Sequence, residues 1–101
     1  MFPFMGTLGV KVIGLTAVET FAVRHAKSRK SLATFVEKVE NAEWSNLVDV
    51  KETFNSADYY AEGQIIFNVG GNKYRLFATV DFEEQVFRVD TLMTHAEYDK
   101  L

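Results

Sequence analysis

The residues best suited to chemistry lie in two short stretches of the last third of the chain. Thr94-His95-Ala96-Glu97-Tyr98-Asp99 has the spacing of a capping box, in which Thr94 and Glu97 satisfy each other's backbone amides at a helix start. That pins His95 at the first helical position, with Tyr98 and Asp99 following on the same side of the turn. The partial positive charge of a helix N-terminus disfavours imidazolium, which would help leave His95 able to accept a proton. A surface or capping histidine would fit the same pattern.

The second stretch is a sheet. Residues 64–69 and 72–80 alternate with period two around Gly70-Gly71, and glycines allow the positive φ angles of a two-residue turn. The resulting hairpin sets Val69 against Asn72, Asn68 against Lys73 and Phe67 against Tyr74. A turn at Glu83-Glu84 leads to a further strand over 86–93 and puts Arg88 opposite Thr79. Ile65, Phe67, Val69, Tyr74, Leu76, Ala78 and Val80 then share one face, which can cover the helices. The opposite face carries Asn68, Lys73, Arg75 and Arg88, with Phe77 and Leu92 between them. Cations interleaved with apolar groups on a sheet suit single-stranded nucleic acid, charge for phosphates and flat surfaces for bases. A polar sheet face that merely meets water gives the same alternation.

Helices upstream must back that sheet. Val10-Lys11-Val12-Ile13 reads as a short first strand, and Thr16-Ala17-Val18-Glu19 as a capping box opening a helix that ends near Arg24-His25-Ala26-Lys27. Ser28 or Ser31 caps a second helix, whose Leu32, Phe35, Val36 and Val39 form one buried stripe. Ser45 and Asn46 cap a third, shorter helix that buries Leu47, Val50 and Phe54, and Asn55-Ser56-Ala57-Asp58 ends it. Residues 1–9 lack periodicity and read as a poorly ordered extension.

Composition excludes several classes. A chain of 101 residues makes one domain, and 48% hydrophobic residues supply a core without staples. The absence of cysteine rules out a disulfide framework, a thiolate metal site and a cysteine nucleophile, and suits the cytoplasm. No apolar run spans a membrane, and the first residues lack the basic region of a signal peptide. The net charge of −3 argues against wholesale coating of nucleic acid, yet it is unevenly spread: residues 1–40 carry six basic groups against three acidic, and residues 41–66 one against five.

Phe67-Asn68-Val69-Gly70-Gly71-Asn72-Lys73-Tyr74-Arg75-Leu76, followed by Thr94-His95-Ala96-Glu97-Tyr98-Asp99-Lys100, resembles the HigB family of type II toxin–antitoxin systems, the RelE-like mRNA interferases. Ala42-Glu43-Trp44 and Phe54-Asn55-Ser56-Ala57-Asp58 resemble it more loosely. The resemblance implies an α+β, RelE-like fold over residues 10–101: a small antiparallel sheet of about four strands on two to three helices, with a short C-terminal helical turn. It also implies a cytoplasmic endoribonuclease that cleaves mRNA on the ribosome with no metal or cofactor. Its partner would be a helix-turn-helix antitoxin of the HigA type, in a hetero-tetramer. Carried over by position, His95, Arg75, Lys73 and Tyr98 are catalytic candidates and Asn72 falls on the same segments, while the strand pairing adds Asn68, Arg88 and Phe77 to Asn72 as the residues expected to contact RNA. His95 would serve as acid or base, Arg75 and Lys73 as a phosphate clamp, and Tyr98 in base stacking or proton transfer, while Asn72 also suits simple closure of the turn. Two alternatives are a catalytically weak RNA- or protein-binding module of this fold, and an oligomerising domain with Phe77, Phe87 and Leu92 at its interface.

Overall fold

A computed structural model describes residues 9–101, so the extension expected at residues 1–9 lies, except for Gly9, outside the described residues. Gly14, at φ 86°, turns strand β1 (Lys11–Ile13) directly into helix α1 (Leu15–Arg24). A side chain there would be strained by that φ, and its Cβ would lie 2.9 Å from the Val89 carbonyl oxygen. The turn also explains why the capping box expected at Thr16 and Glu19 does not form. The helix has already begun at Leu15, and its N-cap, Gly14, has no side chain to offer.

A single 3-10 turn (Ala26–Ser28) leads into α2 (Arg29–Glu40). Ser28 stands at the N-cap position, but its hydroxyl donates backwards to the His25 carbonyl at 2.6 Å instead of capping the new helix. The predicted stripe of α2 is in place, with Leu32, Phe35 and Val39 buried and Val36 packed beside them. Asn46 caps α3 (Leu47–Thr53) by accepting the Asp49 amide, and Val50 is fully buried.

The second half forms β2 (Asp58–Ala61), β3 (Gln64–Val69), β4 (Tyr74–Asp81) and β5 (Val86–Thr94), then the short helix α4 (His95–Asp99). The architecture is α+β as expected, and the sheet has five strands in the order β1-β5-β4-β3-β2. Strands β2 to β5 are antiparallel neighbours, while β1 pairs with β5 in parallel. Strand β2 begins at Asp58, where the sequence pattern predicts only the end of a helix. Its two-residue turn is Glu62-Gly63, both at positive φ.

The Gly70-Gly71 hairpin differs from expectation in register. Val69 faces Tyr74 and Asn68 faces Arg75, because Asn72 and Lys73 belong to a four-residue turn. The shift is by an even number of residues, so every residue that remains paired keeps its predicted face, while Lys73 leaves the sheet for the turn. At the other hairpin Thr79 does face Arg88, but β5 has an irregularity further on, between the partners of Phe77 and Ala78. Asp90 is the extra residue of this bulge. Beyond it Leu92 pairs with Leu76 and turns to the core, while Met93 takes the place beside Arg75.

Helices α1 to α3 cover one face of the sheet. Phe35 from α2 lies 5.3 Å from Phe67 and 5.9 Å from Phe87, ring centre to ring centre, and stacks on Phe54 at 4.6 Å. Trp44 adds its ring beside Phe54 and Phe87, with its indole N–H donating to Thr53 at 3.0 Å. Burying each such side chain stabilises the fold by about 1.5–3 kcal/mol. Phe87 is 1% exposed and Leu92 packs on this core, so Phe77, Phe87 and Leu92, expected to share an exposed surface, do not share one. The opposite face of the sheet carries polar and aromatic groups together with Ile66 and Met93, and α4 folds over one end of it.

Candidate active site

Arg75 projects from β4 onto that open face and is enclosed there by the Gly70–Lys73 turn on one side and α4 on the other. Its Nη1 donates to the carbonyls of Asn72 and Tyr74, both at 3.3 Å. Its Nη2 reaches Asn72 Oδ1 and His95 Nδ1, both at 3.0 Å. The guanidinium carbon lies 5.0 Å from the centre of the Tyr98 ring, a cation–π contact. Arg75 is only 7% exposed, and no described carboxylate lies within ion-pair distance of it. A cation surrounded by neutral acceptors keeps its full charge in a setting of low polarity, where its attraction for an anion is strongest.

The C-terminal capping box holds the other half of the site. The Thr94 hydroxyl accepts the Glu97 amide at 3.1 Å, and Glu97 accepts the Thr94 amide at 2.8 Å. The backbone hydrogen bond from Thr94 is the main cause that holds the Glu97 carboxyl below its usual range. The Thr94 hydroxyl and the nearby His25 and Arg24 of α1 act in the same direction. The His95 amide donates to the Lys73 carbonyl at 2.8 Å, which ties the start of α4 to the hairpin turn. Both ends of the site are therefore fixed by backbone bonds, and the side chains are positioned by two turns that hold each other.

His95 joins these halves. Arg75 can only donate, so the bond at Nδ1 makes that nitrogen an acceptor and places the ring proton on Nε2. Nε2 lies 3.1 Å from Asp99 Oδ2, one turn along α4, as the spacing of the two residues implies. An arginine, a histidine and a carboxylate thus stand in line, and a base whose far side faces a carboxylate is set up to take a proton.

The remaining candidates divide. Asn72 belongs to the cluster through both its carbonyl and its side chain. Phe77 lies on the same face, 6.2 Å from Tyr98, and is buried. Asn68 is the half-buried cross-strand neighbour of Arg75. Lys73 is an exposed residue of the turn, and it touches the cluster through its carbonyl. Arg88 is not brought to it. Its partner Thr79 lies four residues along β4 from Arg75, about 13 Å at the rise of a strand. There Arg88 Nε donates to Asp90 Oδ1 at 2.9 Å and Nη2 to Thr79 Oγ1 at 3.1 Å. Burial alone would raise the Asp90 carboxyl, but hydrogen bonds from Thr79, Gln64 and Arg88, together with the Arg88 charge, hold it below its ordinary value.

Three further residues stand at this site that the sequence pattern does not mark as site residues. Tyr60 lies on the unrecognised strand β2, although the aromatic pair before Glu62-Gly63 is a strand signal. Met93 is brought over by the Asp90 bulge, which nothing in the alternation announces. Asp99 was visible as a neighbour of His95, with no role attached. Among the described residues no group of three or more side chains could hold a metal ion, and no helix is long and apolar enough to cross a membrane.

A small α+β unit with helices on one sheet face and a basic, aromatic, histidine-bearing cluster on the other defines the general class. Residues 28–101 match the HigB toxin family, described as the RelE-like toxic component of a toxin-antitoxin system, and the chain belongs to that family. It is 31% identical over 85 residues, 82% of each chain, to the mRNA interferase toxin HigB of Escherichia coli strain K12. The mRNA interferase HigB of Shigella flexneri matches to the same extent. That of Escherichia coli O6:H1 strain CFT073 is 26% identical over 92 residues, 89% of each chain.

Proposed function

We propose that residues 10–101 form one toxin unit, an endoribonuclease that cuts mRNA as it is translated in the cytoplasm, by attack of a ribose 2′-hydroxyl on the adjacent phosphate. The observation that carries this reading is the line Arg75, His95, Asp99, with Tyr98 on the guanidinium face. The enclosed charge of Arg75 attracts the scissile phosphate, and Lys73 on the rim supplies a second cation. When a phosphate oxygen replaces His95 Nδ1 as the acceptor of the Arg75 Nη2 hydrogen bond, Nδ1 is free to accept the 2′-hydroxyl proton. Asp99 stabilises the imidazolium that results. The bond from phosphorus to O2′ forms as the bond to O5′ breaks, and the 5′-oxygen leaves with a proton from solvent. Arg75 meets the negative charge that gathers on the phosphorane.

Membership of the first residues in the unit is supported by the pairing of β1 with β5 and by Val10, just before β1, which is 3% exposed and donates its amide to the Ala42 carbonyl. The family description names a toxin–antitoxin system, which supports a cognate antitoxin as partner. We assign it to the HigA type, in a hetero-tetramer.

The test is induced expression with mapping of mRNA ends. Wild type should arrest growth and leave cuts at fixed codon positions, and His95→Ala should lower the cleavage rate by about 10²- to 10⁴-fold. Intact mRNA in cells holding folded wild-type protein would overturn the proposal. Cuts that persist after translation is blocked would overturn its ribosome dependence alone.

A further inference from the structure

The open sheet face carries more aromatic surface than the reaction above uses. Tyr60 on β2 stands edge-on to Phe77, at 5.2 Å between ring centres and 85° between planes. Phe77 in turn lies between Tyr60 and Tyr98, and Tyr98 covers Arg75. A continuous row of rings therefore leads from the enclosed cation out to the edge of the sheet. Within that row Phe77 is 5% exposed, whereas Tyr60 is 53% exposed. A half-exposed tyrosine held by a buried ring is a rigid platform, fixed at one side and open at the other, and such platforms stack nucleobases without needing to pair with them.

We infer that Tyr60 is the stacking site for a nucleobase next to the scissile phosphate, and that it helps set which nucleotide is tolerated there. The inference rests on the proposed ribonuclease reading. With the phosphate at Arg75, the chain of a single-stranded RNA that continues along the row meets Tyr60 before it leaves the sheet. The ligand is a base of single-stranded RNA, recognised by its flat face. The competing explanation is that Tyr60 merely shields Phe77 from water. A ring and an aliphatic side chain would do that equally well, but only the ring would stack.

The experiment compares wild type, Tyr60→Ala, Tyr60→Leu, Tyr60→Phe and, as a control on the neighbouring exposed ring, Tyr59→Ala. Each is assayed in a translating extract on an mRNA randomised around the cut, with cleaved ends sequenced, kcat and KM measured and melting followed. Tyr60→Ala and Tyr60→Leu should each lose about 5- to 100-fold in kcat/KM, mainly through KM, and flatten the nucleotide preference at one position beside the cut. Tyr60→Phe and Tyr59→Ala should keep both. A Tyr60→Leu variant with wild-type rate and preference would overturn the inference, as would a loss confined to melting temperature. A wild type that cuts nothing would overturn the ribonuclease reading as well, so the two failures are distinct.

Discussion

Arg75 and Arg88 lie on the same face of the same sheet, two strands' worth of identical chemistry by sequence, and they meet opposite environments. Arg75 is almost fully enclosed by carbonyls, an amide oxygen, an imidazole nitrogen and a ring, none of which neutralises it. Arg88 has a side chain 57% exposed to solvent and rests on the carboxylate of Asp90. Covering a cation with neutral acceptors preserves its field, whereas pairing it in water cancels most of it. The number of arginines on the face is therefore a poor guide to where a phosphate would sit, and the charge of their neighbours is a better one.

The sharpest way to break that comparison is to alter the enclosed arginine. Arg75→Ala should lower mRNA cleavage by about 10²- to 10⁴-fold, because the transition-state charge loses its partner and His95 loses the contact that orients it. Arg75→Lys keeps the charge but cannot bond Asn72 and His95 through one planar group, so most of the loss should persist. Rates mapped on the same message, alongside melting curves to confirm folding, decide the matter. A variant within a few-fold of wild type would show that the enclosed cation is structural.

A smaller effect is expected where the two halves of the site are joined. Thr94→Ala removes the side-chain half of the capping box, worth about 1 kcal/mol. Helix α4 is only five residues long and carries His95, Tyr98 and Asp99, so fraying there displaces them together. Cleavage should fall about fivefold with little change in the melting of the core, and Thr94→Ser should restore it. Unchanged cleavage with the cap removed would mean that the contacts with the Lys73 carbonyl, Arg75 and Asp99 suffice to hold His95 in place.

Legibility in the sequence followed the range of the interaction. The α2 stripe, the Asn46 cap and the Thr94 box depend on residues three or four apart, and all three were readable. The Glu83-Glu84 hairpin was readable in register up to Asp90, and the bulge there then moved Leu92 off the open face and Met93 onto it. The Gly70-Gly71 hairpin differs from its expected register by an even step, which leaves the paired residues on their expected faces and moves only Lys73 off the sheet. Thr16 failed as a cap because Gly14, positioned by the contact of β1 with β5, starts the helix earlier. The enclosure of Arg75 was invisible for the same reason. It needs a four-residue turn, a strand and a C-terminal helix to meet, and no local pattern states that they do.

The least effect is expected at the paired arginine, and it is the one that tests the comparison from its other side. Arg88→Ala removes a cation that Asp90 already balances, and an exposed pair of this kind contributes about 0–1 kcal/mol, so stability should change little and cleavage at neutral pH should stay within a few-fold of wild type. Its consequence should appear in acid instead. The folded protein holds Asp90 below the ordinary value of 3.8, so this carboxylate stabilises the fold at higher pH, and the contribution is lost as pH falls through the folded value. Asp90→Asn has no carboxylate to protonate. Its melting temperature should lie below that of wild type near pH 7, and the gap should narrow below pH 4. Arg88→Ala should weaken the same acid dependence only in part, because Thr79 and Gln64 still donate to Asp90, at 2.6 and 3.0 Å. A hundredfold loss of cleavage in Arg88→Ala at pH 7 would collapse the distinction between the two arginines and extend the phosphate-binding surface along the whole of the open face.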